Sequence, residues 1–496
     1  MRLPSKPDPQ REEWPPASSV TLDPANWDAF ARTVHQVADQ AIAYLRDVRA
    51  RPVWTQVPAC VRQAFTQPLP VEPEALEAIS REAVERILPY ATGNIHPRFF
   101  GWVHGAGMAN GLVAEILAAA MNSNVGGRDH GAVYVERQVV DWCRQLFGFD
   151  PQSSGILLSG TSMANLVALT VARNRYAGAQ VRETGLWSKA APLTGYTSAE
   201  AHHSVSKAFE MLGLGSSQLR RIPVDGACRI DLAVLEKAIE ADRHGFQPFC
   251  IIGTAGTVNT GAIDDLLGLA AICRRHGLWF HVDGAFGALA ILSDHHRNRL
   301  LGIEQADSIA FDFHKWMHVT YDAGCVLIRD GDLHRQTFST RADYLRSETR
   351  GLAAGAPWFC DFGPELSRGF RALKVWFALK EHGVKRLGAV IDRNCLLARE
   401  FADTLAADPR FELLAPVSLN IVCFRVVFAA AGPEELDQRN AELVVALHER
   451  GIAAPSVTRI NGRTGIRMHI NNYRTQRQDL ADTLQGLIAI AEERRL

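Results

Sequence analysis

Apolar residues recur at helical spacing between 27 and 50, where Trp27, Phe30, Val34, Val37 and Leu45 fall roughly on one stripe. A stretch broken by prolines follows, from Pro52 to Pro73. From about Gly101 the pattern changes to short β-rich runs alternating with helical ones. Residues 249–253 predict a strand, 265–276 a helix, 278–282 a second strand and, after another helical stretch, 307–313 a third. Strand, helix, strand, helix, strand is the pattern of a mostly parallel sheet covered on both faces, so the fold class is α/β. Beyond Lys374 come a long helical segment, strand-like runs across 411–427, an amphipathic helix over 434–450 and a final helix over 478–493. The chain thus divides into a polar tail at 1–24, an N-terminal helical segment at 25–100, a large domain at 101–375 and a smaller α/β domain at 376–496.

Composition narrows the classes of function. Of the 496 residues 47% are apolar and 22% charged, which is ordinary for a globular protein. The net charge is −1 and no basic tract is present, which disfavours nucleic acid or an anionic membrane as partner. Residues 1–16 lack the apolar core of a secretory signal, so a cytoplasmic location is expected. The most apolar stretch, 111–121, is too short to span a bilayer and contains Glu115; it predicts a buried helix. Nine cysteines show no Cys-x-x-Cys spacing, and His295-His296 has no third ligand at suitable spacing, so no metal site is expected.

The candidate chemistry lies in Asp312-Phe313-His314-Lys315-Trp316, which sets a lysine at the end of an apolar run. Upstream, His281-Val282-Asp283-Gly284-Ala285 ends the preceding predicted strand with a carboxylate. In open α/β sheets functional groups gather at the carboxyl ends of the strands. Taken singly, such a lysine can snorkel to water and such an aspartate can cap a helix. Together they suit pyridoxal phosphate, which needs a lysine to bond its aldehyde and an acid to keep its ring nitrogen protonated.

These two segments resemble the pyridoxal-phosphate-dependent amino-acid decarboxylases of the group that contains aromatic-L-amino-acid decarboxylase and glutamate decarboxylase. Five further segments match in the same order: 96–102 (HPRFFGW), 159–169 (SGTSMANLVAL), 201–208 (AHHSVSKA), 253–265 (GTAGTVNTGAIDD) and 370–383 (FRALKVWFALKEHG). The resemblance implies a type I pyridoxal-phosphate fold and a homodimer in which the segment at 25–100 wraps the partner subunit. It implies that Lys315 carries the cofactor, Asp283 pairs with its ring nitrogen, His202 stacks on the ring and Ala285 leaves room beneath it. Thr161 and Ser162 would hold the phosphate at a helix N-terminus, which offers free N–H groups and a favourable dipole. Asp312 and His314 would lie near that phosphate. The family commonly has Asn at the position of Asp312, and a second hydroxyl residue where this chain has Val258.

The reaction implied is decarboxylation of an L-amino acid to the amine, with Lys315 and His202 as catalytic residues. For the substrate, Trp102, Asn122, Asn124 and Phe359 fall at matching pocket or loop positions, and Arg128, Asp129 and His130 add charge nearby. An aromatic or polar-aromatic amino acid is favoured, with an acidic one as alternative. Phe359 stands where the aromatic enzymes carry a proton-donating tyrosine, with Tyr344 as a possible substitute and 351–357 as a flexible lid. Loss of that donor predicts an oxidative, aldehyde-forming side reaction. A cofactor-binding protein without catalysis is the least favoured alternative.

Overall fold

In the computed structural model the described residues are 21–188, 191–339, 347–429 and 431–493. The chain falls into two units, one comprising residues up to Asp47 together with Val57–Ala91, the other Val48–Gln56 together with everything from Thr92 onward.

The first unit is helical. Helix α1 (Trp27–Arg46) is started by Asn26, whose side chain accepts the N–H of Ala29. Short α2 (Ala59–Ala64) follows, and α3 (Leu76–Arg86) packs on α1. The predicted 27–50 helix therefore ends four residues early, in a 3₁₀ turn at Val48–Ala50.

The second unit opens with α4 (Asn110–Met121) and α5 (Gly131–Phe147). Its main sheet is built from β1 (Ser154–Leu158), β2 (Leu193–Ser198), β3 (Leu219–Ile222), β4 (Gln247–Thr254), β5 (Trp279–Asp283), β6 (Ser308–Asp312) and β7 (Gly324–Ile328). Their order in the sheet is β1-β7-β6-β5-β4-β2-β3. Neighbours from β6 through β3 are parallel, and β7 runs antiparallel to both β6 and β1. Every residue of β5 and β6 is buried, as expected of strands covered on both faces. The helix Leu266–His276 shows the local logic: Asp265 accepts from Gly268 N–H at its start, and Gly277 ends it with φ 67° after a basic last turn.

A smaller antiparallel sheet, β8 (Phe411–Leu413), β9 (Ile421–Val426), β10 (Ser456–Ile460) and β11 (Arg463–His469), has the order β10-β11-β9-β8. Phe424, Ile466, Met468 and Leu443 are among the side chains of its core. The long helix Arg371–Ala406 is broken at Gly383 (φ 65°), and the last helix is Arg477–Glu493. Among the described residues no helix is long and apolar enough to cross a membrane.

One expectation needs correcting. Helix α4 forms where the apolar run predicts it, yet only Gly111 and Ala114 are buried. Val113, Ile116, Leu117 and Met121 are 52%, 56%, 46% and 48% exposed. An apolar run specifies that a helix will be covered; it does not specify by what.

Candidate active site

The turn after β6 is anchored before it presents anything. Phe313 and Trp316 are buried, and the Trp316 indole N–H donates to Asn394 Oδ1 at 3.0 Å. Between them Lys315 extends its amine to Asp312 Oδ2 at 2.7 Å. The other oxygen of Asp312 accepts the backbone N–H of Thr161 at 2.7 Å. Asp312 therefore spends its charge on Lys315 and on the N-terminus of α6 (Thr161–Ala177), where the helix dipole favours an anion. His314 lies 3.6 Å from the same carboxylate, and its Nδ1 accepts the N–H of Ala323. Burial pushes the His314 pKa down, so its ring is neutral near pH 7. Tyr321 covers it with ring centroids 4.5 Å apart. The backbone at Gly105 passes so close that a Cβ there would collide with the carbonyl oxygen of His314.

Asp283, at the end of β5, is 4% exposed. One oxygen accepts from Ala285 N–H at 3.2 Å and the other from Asn165 Nδ2 at 3.0 Å, which fixes the carboxylate's plane. Ala285 also ties the two strand ends together, since its carbonyl accepts the N–H of Asp312. His202 caps the helix His203–Met211: its Nδ1 accepts the N–H of Ser204 at 3.2 Å and lies 2.8 Å from the Ser204 hydroxyl. Burial lowers its pKa, with Asp283 acting in the opposite direction.

Pyridoxal phosphate is compatible with these groups on the structure's own terms. The Thr161 hydroxyl is buried with no hydrogen-bond partner among the described residues, an arrangement that costs about 1–3 kcal/mol unless something accepts or donates there. Gly160 caps α6 without a side-chain hydrogen bond, and Ser162 is exposed on the first turn. A phosphate could be held by Thr161, Ser162 and the helix N-terminus, a protonated ring nitrogen by Asp283, an aldehyde by Lys315 and a ring face by His202, with Ala285 adding no bulk beyond a methyl group. Thr257 does not replace the hydroxyl absent at Val258; its Oγ1 is taken by Thr260 and by the N–H of Ala262.

Among the substrate candidates, Trp102 joins the surroundings of Lys315 through rings. It is 54% exposed and lies 5.9 Å from His104, which is 6.1 Å from Tyr321. No hydrogen bond, ion pair or ring contact among the described residues links Asn122, Asn124 or Phe359 to Lys315. Asn122 ends α4 in a left-handed conformation (φ 43°). Asn124 Oδ1 accepts from Gly126 and Arg368 N–H. Phe359 is buried in the core with Ile156, Leu158 and Val133, under the guanidinium of Arg368 at 5.1 Å. Tyr344 lies outside the described residues.

Sequence reasoning missed Arg467. It is 3% exposed, donates to the carbonyls of Trp102 (2.8 Å) and Asn259 (3.3 Å), and has no partner for Nη2 among the described residues. Burial lowers its pKa to about 10. A buried cation held by neutral acceptors leaves an uncompensated charge. An arginine within the apolar run Gly465-Ile466-Arg467-Met468 was the available signal.

Comparison with known proteins decides the family. The pyridoxal-dependent decarboxylase conserved domain matches residues 58–427. The chain belongs to the pyridoxal-dependent decarboxylase family. The aromatic-L-amino-acid decarboxylase of Bacillus atrophaeus is 34% identical over 92% of this chain and 95% of its own length. Among solved structures, Oryza sativa TDC with PLP and tryptamine aligns with a TM-score of 0.88 and 26% identity over 95% of this chain and 99% of that one. The glutamate decarboxylase domain of a Vibrio parahaemolyticus diaminobutyrate-pyruvate transaminase and L-2,4-diaminobutyrate decarboxylase aligns with a TM-score of 0.84 and 27% identity, over 96% and 98%. The decarboxylase thus has the type I pyridoxal-phosphate fold, takes pyridoxal 5'-phosphate as cofactor and acts on an amino acid as a carboxy-lyase.

Proposed function

We propose that this decarboxylase acts on an aromatic L-amino acid, as a cytoplasmic homodimer. The observation that carries the substrate class is the path of rings from exposed Trp102 through His104 and Tyr321 to His314, beside Lys315. Such a path favours a flat apolar side chain over a carboxylate. The Bacillus relative is named for aromatic amino acids, and the Oryza structure holds tryptamine, which supports the same reading.

When bound, the cofactor supplies an electron sink for the pair left behind as carbon dioxide departs. The chain's own residues do the rest. Lys315 would hold the cofactor by its aldehyde. Asp283, held at both oxygens, would keep a proton on the ring nitrogen. Thr161 and Ser162 would take the phosphate. His202 would cover the ring, and Arg467, whose Nη2 has no partner among the described residues, would donate to the substrate carboxylate. Phe359 has no proton to give and is buried, so the α-carbon receives its proton from His202 or a water.

Helix α4 supports the homodimer, since its exposed apolar face suits a second copy, with residues 25–100 as a further dimerisation segment and 376–496 as the small domain. All nine cysteines are free, which fits a reducing cytoplasm. Amine release measured across the twenty amino acids and dihydroxyphenylalanine tests the substrate. Turnover of tryptophan, tyrosine, phenylalanine or dihydroxyphenylalanine is expected; exclusive turnover of aspartate, glutamate or cysteine sulfinate would refute the reading.

A further inference from the structure

Asn165 lies one turn into α6 and is fully buried. Its amide touches three groups. Nδ2 is 3.0 Å from Asp283 Oδ2 and 3.4 Å from Ser204 Oγ, and Oδ1 is 2.9 Å from His281 Nε2. Beyond His281, its Nδ1 is 2.8 Å from Ser308 Oγ, which accepts the indole N–H of Trp279 at 2.8 Å. Beyond Ser204, the hydroxyl meets His202 Nδ1 at 2.8 Å.

The donors in this chain can be assigned by elimination. Trp279 can only donate, and the Asp283 carboxylate can only accept. The Asn165 NH₂ therefore faces Asp283, and its Oδ1 must accept from His281. His281 then carries a proton on Nε2. Burial lowers the His281 pKa to about 4, so the ring is neutral near pH 7 and its Nδ1 is bare, ready to accept from the Ser308 hydroxyl. On the other arm, the second amide hydrogen of Asn165 points at Ser204 Oγ, which turns the Ser204 hydroxyl toward His202 Nδ1. That nitrogen also accepts the N–H of Ser204. Neutral His202 is left with its proton on Nε2.

We infer that Asn165 is a positioning residue that joins Asp283, His281 and His202 in one directional hydrogen-bond network, fixing the carboxylate's orientation, the tautomer of His281 and the direction of the Ser204 hydroxyl at His202, whose own tautomer the Ser204 N–H already sets. The inference rests on the reading of Asp283 and His202 as the groups that meet the cofactor ring. A single buried amide thus couples the group that holds the ring nitrogen to the group available for proton delivery. Strand β5 contributes Trp279, His281 and Asp283, strand β6 Ser308, helix α6 Asn165 and the helix His203–Met211 Ser204, so a shift of any of these elements disturbs the sequence of donors.

The test uses holoenzyme labelled with [15N]histidine, with the His202 and His281 signals assigned by His202→Gln and His281→Gln proteins. Pyridoxal phosphate affinity is measured alongside by fluorescence titration. Both imidazoles are expected to be neutral with the proton on Nε2. In Asn165→Leu His281 should lose that single tautomer while His202, still facing the Ser204 N–H, keeps its proton on Nε2, and pyridoxal phosphate affinity should fall roughly tenfold or more, the scale of losing a hydrogen bond to a charge. Inorganic phosphate, used as a competing probe, should bind unchanged, because Thr161 and the start of α6 are untouched. His202 protonated on Nδ1 in the wild type, or an unaltered His281 signal in a folded Asn165→Leu protein, would overturn the inference. Tautomers that shift while pyridoxal phosphate affinity stays constant would instead overturn the placing of Asp283 on the ring nitrogen. Should Asn165→Leu fail to fold, Asn165→Ala removes the amide without adding bulk. It must release His281 from its single tautomer, and no change at His281 would again refute the inference.

Discussion

At the scale of single residues, Asp312 shows how an acid can stand beside the proposed phosphate site. Its two oxygens are already engaged, by the N–H of Thr161 and by the amine of Lys315, so the carboxylate is compensated on both sides. Lys315 is the residue whose loss should be absolute. Lys315→Ala is expected to abolish amine production and to leave no cofactor covalently fixed after borohydride treatment, as read by mass spectrometry of the tryptic peptides. A reducible adduct that survived the substitution would refute the assignment. Phe359 raises a second question, because it sits in the core where a proton donor would have to be mobile. With slow proton delivery, dioxygen can divert part of the reaction to aldehyde, ammonia and peroxide. Amine should be the main product under air, with peroxide measurable but well below the carbon dioxide released. Peroxide equal to carbon dioxide would make the protein an aldehyde synthase, and none at all would mean efficient protonation by another group.

At the scale of elements, α4 and the loop at 351–357 stand out. The loop is held rather than free: Leu352 accepts the N–H of Asp129, Arg137 donates to the carbonyls of Gly355 and Pro357, and the Trp358 indole donates to Ala354. A lid that opens at this place must break these bonds together. Helix α4 leaves four large apolar side chains about half exposed, and full burial of each from water is worth about 1.5–3 kcal/mol. Replacing Ile116 and Leu117 by glutamate would set two charges in such an interface. The Ile116→Glu/Leu117→Glu protein is expected to run as a monomer in size exclusion with light scattering and to lose most activity. A dimer that persists would place the interface elsewhere.

At the scale of the whole molecule, burial of neutral imidazoles makes stability depend on pH. His96 and His281 are lowered to about 4, and His318 and His334 to about 3, in each case chiefly by burial. Their ordinary value is about 6.5. Between pH 6.5 and 4 the unfolded chain therefore binds more protons than the folded one, so stability rises with pH in that window and is lost on acidification. Each group contributes up to about 1.4 kcal/mol per pH unit there. Asp264 works in the opposite direction. Burial raises it to about 6, so between pH 6 and its usual value the folded state holds the extra proton, offsetting part of one histidine. The urea midpoint, measured at fixed protein concentration, should be level from pH 7.5 to 7 and fall by several tenths molar or more by pH 5, roughly, given typical urea slopes. A midpoint unchanged at pH 5 would refute this account.

The sequence by itself determined the alternation of strands and helices, because hydrophobic period and caps are local properties. The predicted 265–276 and 478–493 helices differ from Leu266–His276 and Arg477–Glu493 by one residue at their starts. The placing of Asp283 and Lys315 near neighbouring strand ends was legible for the same reason, since a mostly apolar run precedes each, interrupted by His281 before Asp283 and by Asp312 and His314 before Lys315. Only the tertiary structure decided what those residues touch. Asp312 meets Thr161 and Asn165 meets Asp283 across more than a hundred residues of chain, and no periodicity encodes such a pairing. Arg467, on the small sheet, donates to the carbonyl of Trp102, a contact between backbone and side chain that leaves no trace in residue spacing. The apolar pattern likewise could not say that Phe359 would be buried while Ile116 stayed exposed. Burial depends on which surfaces come together in space, and among the described residues none covers the face of α4 that carries Val113, Ile116, Leu117 and Met121.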